Sequence, residues 1–177
     1  MNLLSTVDVA KVPNWNTGSR AVFRMPGSKA QALWNLQNRS SVLAGKIKEA
    51  TGGRRIKTPV ATRWNSYYES MKCLVELVLD KHQVKIAINM ILSGQGLGNF
   101  NSKDTEVIKE YLQVMAPVAN CLDKMQSDMA YMGNLLPDLM LLRQHLETVK
   151  NLNLKYAGNL VEYLLKQDDH HHGFNNR

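Results

Sequence analysis

The chain has 177 residues, 44% hydrophobic and 21% charged, which is material for one ordinary domain or slightly more and too apolar for wholesale disorder. No apolar run reaches the roughly 18 residues needed to span a bilayer, and the opening Met-Asn-Leu-Leu-Ser-Thr has neither a basic leader nor a long apolar stretch, so the protein is expected to be nuclear or cytoplasmic and not secreted. The net charge of +7 is unevenly spread: residues 1–66 hold 11 Lys and Arg against 2 Asp and Glu, and residues 67–177 hold 11 against 13.

In chain order, residues 1–12 read as a short helix or strand with Leu3, Leu4 and Val7 on one face. Pro13, Gly18, Pro26 and Gly27 make 13–28 a basic loop carrying Trp15 and Phe23. Ser28 is a plausible N-cap for a helix over about 29–50, with Ala30, Leu33, Trp34, Val42, Leu43 and Ile47 inward and Gly52-Gly53 as its stop. Lys46, Lys48, Arg54, Arg55 and Lys57 make this end basic, and Pro59 keeps residue 58 extended. The next helix starts near Asn65 or Ser66, where Ser66 and Glu69 have capping-box spacing, and buries Met71, Leu74, Val75, Val78 and Leu79. A further helix covers 82–92, and the Gly- and Asn-rich stretch from Ser93 to Ser102 reads as a hinge loop.

Val107, Ile108, Tyr111, Leu112, Met115, Val118, Leu122, Met125 and Met129 mark a long helix over about 103–131, interrupted by Pro117. Helices over 135–150 and 154–167 complete the pattern, and the polar tail over 168–177 is expected to be disordered. No segment shows sustained period-two alternation. The predicted class is therefore all-α, with five or six helices in a main domain over 29–167, preceded by an N-terminal segment over 1–28.

The inventory for catalysis is thin. The chain has no P-loop, GxSxG, HExxH or CxxC motif. Two cysteines, Cys73 and Cys121, cannot supply a disulfide framework or a four-ligand zinc site and read as small core residues. The carboxylates Asp104, Glu106 and Glu110 fall at solvent-face spacing among lysines. His170, His171 and His172 could bind a metal but read more simply as part of the polar tail. No cofactor, metal site or small-molecule substrate is expected.

The informative stretch is Thr62-Arg63-Trp64-Asn65-Ser66-Tyr67-Tyr68. A Trp at a helix start beside Arg63, after a basic loop with Arg54, Arg55 and Lys57, can stack on a base while the cations contact phosphate. Equally, Trp64 can be a core anchor with Arg63 in a salt bridge.

The segment TRWNSYYESMKCLVEL resembles the TRWNS segment and adjoining helix of hAT-type DNA transposases and their BED-zinc-finger-associated, host-retained relatives. Upstream, KAQALWNLQNRSSVLAGKI resembles the basic helix preceding that segment, and residues 2–10 resemble the stretch just after the family's Cys/Asp-x-x-His motif. Downstream, EYLQVMAPVANCLDKMQSDMAYMGNLLPDLMLL, with Gln126, Gly133 and Pro137 at compatible spacing, resembles the family's later helices, and Gly173 to Arg177 a closing "gf..RF" stretch.

The resemblance implies the α-helical insertion of a ribonuclease-H-like core, without the core strands, the zinc finger or the dimerisation region. None of the family's three metal-binding carboxylates, two Asp and one Glu, can be placed here, so no autonomous catalysis is expected; two-metal chemistry needs them converging on one site. What carries over is Trp64, matching a Trp implicated in holding a base flipped from the transposon end, with Arg63, Lys57, Arg55, Arg54 and Asn65 around it as candidate nucleic-acid contacts. Three readings are open: a module contributing weak DNA binding or transposase assembly, a protein-interaction or self-associating helical module, and a transposon remnant without function. The partners expected are DNA, a protein or a second copy, and no membrane.

Overall fold

The structure, a computed structural model, describes residues 17–60, 63, 65–127 and 132–172. The expected element over 1–12, Trp64, the Met129 end of the long helix and the closing Gly173–Arg177 stretch lie outside the described residues. Among the described residues the protein is all-α, with seven helices: α1 (Thr17–Arg39), α2 (Ser41–Ala50), α3 (Ser66–Leu74), α4 (His82–Ser93), α5 (Ser102–Met125), α6 (Leu135–Lys150) and α7 (Gly158–His172). A π-helical turn, Val75–Leu79, extends α3, and a short 3₁₀ turn, Met132–Asn134, precedes α6. No helix among the described residues is long and apolar enough to cross a membrane. The chain divides into two compact units, one over 21–109 and one containing 110–177, with the division inside α5 between Lys109 and Glu110.

In the unit over 21–109, Ala30, Leu33 and Trp34 of α1, Ile47 of α2, Met71 and Leu74 of α3, and Ile88 and Leu92 of α4 are buried at the helical spacing the sequence shows. The Trp34 and Tyr67 rings meet edge to face, centroids 5.8 Å apart. The π turn buries Val75, Leu77, Val78 and Leu79 together, and its wider winding appears in the bond from Asp80 N to the carbonyl of Val75, 3.0 Å.

Two boundaries differ from the sequence reading. The expected loop over 13–28 is helical from Thr17 onward, with Pro26 inside α1. Pro26 is buried, and a Cβ on Gly27 would stand 3.1 Å from the Tyr67 hydroxyl. Tertiary contacts thus outweigh the local breaking tendency of both residues. The single helix expected over 29–50 is two, because Ser40 leaves the helical region (φ −131°, ψ 115°) and its hydroxyl accepts the Leu43 N–H at 3.2 Å. Ser40, rather than Ser28, is the N-cap.

The loop between α4 and α5 is tied down at its far end. Asn89 brackets the backbone of buried Phe100, donating to its carbonyl (3.0 Å) and accepting its N–H (2.9 Å). Asn101 and Asp104 then exchange hydrogen bonds: Asp104 N donates to Asn101 Oδ1 (2.7 Å), and Asn101 N to Asp104 Oδ2 (2.8 Å). The same Asp104 oxygen receives Lys29 Nζ at 2.7 Å, with the two side chains 7% and 14% exposed. Asp104 is therefore interior, against the solvent-face expectation, because it caps α5 and neutralises a lysine of α1.

In the unit containing 110–177, Val114, Met115, Val118 and Leu122 of α5, Leu146 of α6 and Leu160 and Val161 of α7 are buried, and α6 packs on α7. α5 runs through Pro117 to Met125. Glu110, also assigned to solvent by its spacing, turns its carboxylate onto three successive N–H groups ahead of α7: Lys155 (3.1 Å), Tyr156 (2.6 Å) and Ala157 (2.9 Å). A carboxylate is favoured just ahead of a helix N-terminus, where the helix dipole is positive. α7 itself runs to His172, so residues 168–172 are helical rather than part of a disordered tail.

Cys121 is buried on α5, its sulfur 3.8 Å from that of Met125. Burial first, and the charge of Asp138 second, push its thiol pKa above the ordinary value, against a smaller opposing pull from Lys124. Cys73 is half-buried. Alkylation of the folded chain with iodoacetamide at pH 8 is expected to modify Cys73 first and Cys121 at least ~10-fold more slowly, read by peptide mass spectrometry. Equal rates would contradict this placement of Cys121.

Candidate nucleic-acid interface

The basic segment of the sequence lies between α2 and α3, and its residues 54–60 form a strap without regular secondary structure. It begins where α2 stops. Thr51 N donates to the carbonyl of Ile47 (3.0 Å) and Gly53 N to that of Lys48 (2.8 Å), with Gly52 and Gly53 at φ +70° and +82°, the left-handed region open to glycine. The strap over 54–60 follows. Ile56 is buried, and Gln37 of α1 grips its backbone: Gln37 Nε2 donates to Ile56 O (2.8 Å) and Ile56 N to Gln37 Oε1 (3.2 Å). With Ile56 inward, Arg55 and Lys57 are exposed, as is Arg54.

Each cation has its own surroundings. Arg55 Nη2 donates to Asn38 Oδ1 at 3.2 Å. Lys57 N donates to Cys73 Sγ at 3.4 Å, and its ammonium pairs with Glu69 of α3. Arg63 lies 62% exposed with Nη2 3.8 Å from the same Glu69 oxygen. Asn65 is buried, 8% exposed, directly before α3, and its carbonyl accepts the Glu69 N–H at 2.9 Å. Of the residues singled out in the sequence, Lys57 and Arg63 are thus brought together, Arg54 and Arg55 stand on the same strap, and Asn65 belongs to the interior. Trp64 lies outside the described residues.

The capping box expected for Ser66 and Glu69 does not form. Ser66 is the first helical residue, and its hydroxyl accepts the Val60 N–H. Glu69 is directed to Lys57 and Arg63 instead of back to the helix start. Val60 N–H and the two cations compete successfully for these acceptors because the strap is packed against α3.

Two participants escaped sequence reasoning. Gln37 occupies the buried stripe of Leu33 and Trp34, and a polar residue at that spacing was the available signal. Glu69 is the sole acidic residue between Glu49 and Glu76, a stretch that also holds Arg54, Arg55, Lys57, Arg63 and Lys72. Among the described residues no group of three His, Cys, Asp or Glu side chains is placed to hold a metal ion.

Compared with protein-family models, curated proteins and solved structures, the chain matches none.

Proposed function

We propose that this chain is a helical insertion module of a hAT-transposase-like protein, without catalysis of its own, that lends weak duplex-DNA binding to a nuclear protein. The observation that carries the reading is the strap over 54–57. It holds Arg54, Arg55 and Lys57 exposed on a backbone fixed by Gln37 and Cys73, and Arg63 stands beyond it at the entry to α3. The family resemblance assigns DNA contact to the same stretch, and an all-α architecture is what a helical insertion requires. Cations on a fixed backbone lose less freedom on meeting phosphate, which favours binding.

A titration of duplex DNA by gel shift at 50 and 200 mM salt tests the proposal. About two to four phosphate contacts give a slope of log K against log salt of roughly −1.8 to −3.6, so affinity is expected to fall roughly 12- to 150-fold across that range. Absence of binding at the lower salt would overturn it.

A second reading, a protein-interaction or self-associating module, is favoured by α6, where Leu136 and Met140 are 57% and 65% exposed one helical turn apart. A monodisperse monomer at micromolar concentration in size-exclusion chromatography with light scattering counts against self-association.

A further inference from the structure

We infer that Lys57, Arg63 and Glu69 form a counter-charged site for a single phosphate group, in which Glu69 occupies the place of the phosphate until a polyanion displaces it. The inference rests on the proposed DNA binding and concerns how the same site is restrained.

The geometry is direct. Two cations from different parts of the chain converge on one carboxylate: Lys57 Nζ pairs with Glu69 Oε2, and Arg63 Nη2 lies 3.8 Å from that same oxygen. Two cationic donors around one anionic oxygen is the arrangement a phosphate oxygen accepts. The backbones of all three are held: Lys57 N by Cys73 Sγ (3.4 Å), Arg63 N by the carbonyl of Val60 (3.1 Å) and Glu69 N by that of Asn65 (2.9 Å). Only side-chain rotation is then needed to redirect both cations. Lys57, Arg63 and Glu69 are 46%, 62% and 28% exposed, so a phosphate can reach both cations from solvent.

The consequence is that Lys57 and Arg63 contribute little to DNA binding while Glu69 is charged. Arg54 and Arg55 supply most of the affinity of the native chain. Removing the Glu69 charge frees both cations for one further phosphate contact.

The test is a double-mutant cycle on the full chain, with duplex DNA binding monitored by fluorescence anisotropy. E69Q is expected to bind about 10-fold tighter at 100 mM salt, and its salt slope to steepen by about one. E76Q makes the same charge change at the next acid along the chain and is expected to shift affinity less than about twofold, as general electrostatics would. K57Q/R63Q should cost less than about threefold in the native background and erase the whole E69Q gain in the triple variant.

An E69Q gain no larger than that of E76Q, a loss in E69Q, or a gain that survives K57Q/R63Q would overturn the inference while leaving the DNA reading in place. Inorganic phosphate gives a readout independent of DNA. The amide shifts of residues 57 and 63 are expected to saturate at lower phosphate concentration in E69Q than in the native chain, and equal saturation overturns the site. Failure of both proteins to bind duplex at low salt removes the DNA reading alone.

Discussion

Replacing Asp104 by alanine is expected to destabilise the unit over 21–109 by roughly 3–5 kcal/mol, the cost of stranding a poorly solvated charge. The Asp104 carboxylate receives Lys29 Nζ at 2.7 Å and the Asn101 N–H at 2.8 Å. Its removal leaves the Lys29 ammonium, 14% exposed, without its anion. It also opens the start of α5, where loss of a cap typically costs about 1 kcal/mol. The conservative variants order the effect. D104N keeps the side chain's shape but not its charge and should lose less than D104A. K29M should lose nearly as much as D104A, since it leaves the Asp104 carboxylate, 7% exposed, without its cation, although Asp104 still caps α5. Urea unfolding monitored by circular dichroism measures all three, and a K29M loss no larger than that of a cap, about 1 kcal/mol, would show that the ion pair is not the main source.

Glu110 carries the second large effect. Its carboxylate accepts three consecutive N–H groups, from Lys155, Tyr156 and Ala157, immediately before α7. Hydrogen bonds to a charged acceptor contribute about 1.5–3 kcal/mol each. Water can reach the exposed Lys155 end in the variant, so E110A is expected to cost roughly 3 kcal/mol rather than the full sum. At about 2–4 °C per kcal/mol for a chain of this size, the melting temperature should fall by roughly 6–12 °C. E110Q retains a neutral acceptor and should lose about half as much. Hydrogen exchange localises the effect: amides 155–157 should lose protection in E110A, and unchanged protection there would refute the assignment.

These two carboxylates also show where the sequence stops being legible. Helix existence and the apolar faces can be read from spacing, as at Leu33, Trp34, Leu74, Ile88, Val107 and Val118, all buried where the periodicity puts them. A charge on the other face of a helix carries no such mark. Asp104, Glu106 and Glu110 look alike in sequence, yet Asp104 meets Lys29 from 75 positions away and Glu110 meets Tyr156 from 46. Partners at that separation are set by tertiary packing alone.

Local capping signals are ambiguous for a related reason. Ser66-x-x-Glu69 has the preferred residue types and does not close, whereas Asn101-x-x-Asp104 at the same spacing does. The difference lies in competition, since the strap offers Ser66 and Glu69 other partners. Breakers are similarly overruled at Pro26 and Gly27, whose places are set by contacts.

For the candidate site, the basic character of 54–63 was legible from composition. The pairing of Lys57 and Arg63 through Glu69 was not, because it depends on how the strap lies along α3.

The π turn over Val75–Leu79 has a bearing on kinship. It lodges one residue more than an α-helical turn holds, and it does so at the very end of α3, since Lys81 leaves the helical region (φ −109°, ψ 101°) before α4 begins at His82. A relative lacking that residue would keep the buried face of α3 in phase and enter α4 one position earlier. An alignment should therefore carry its gap at the junction over 75–81 and not inside either α-helix.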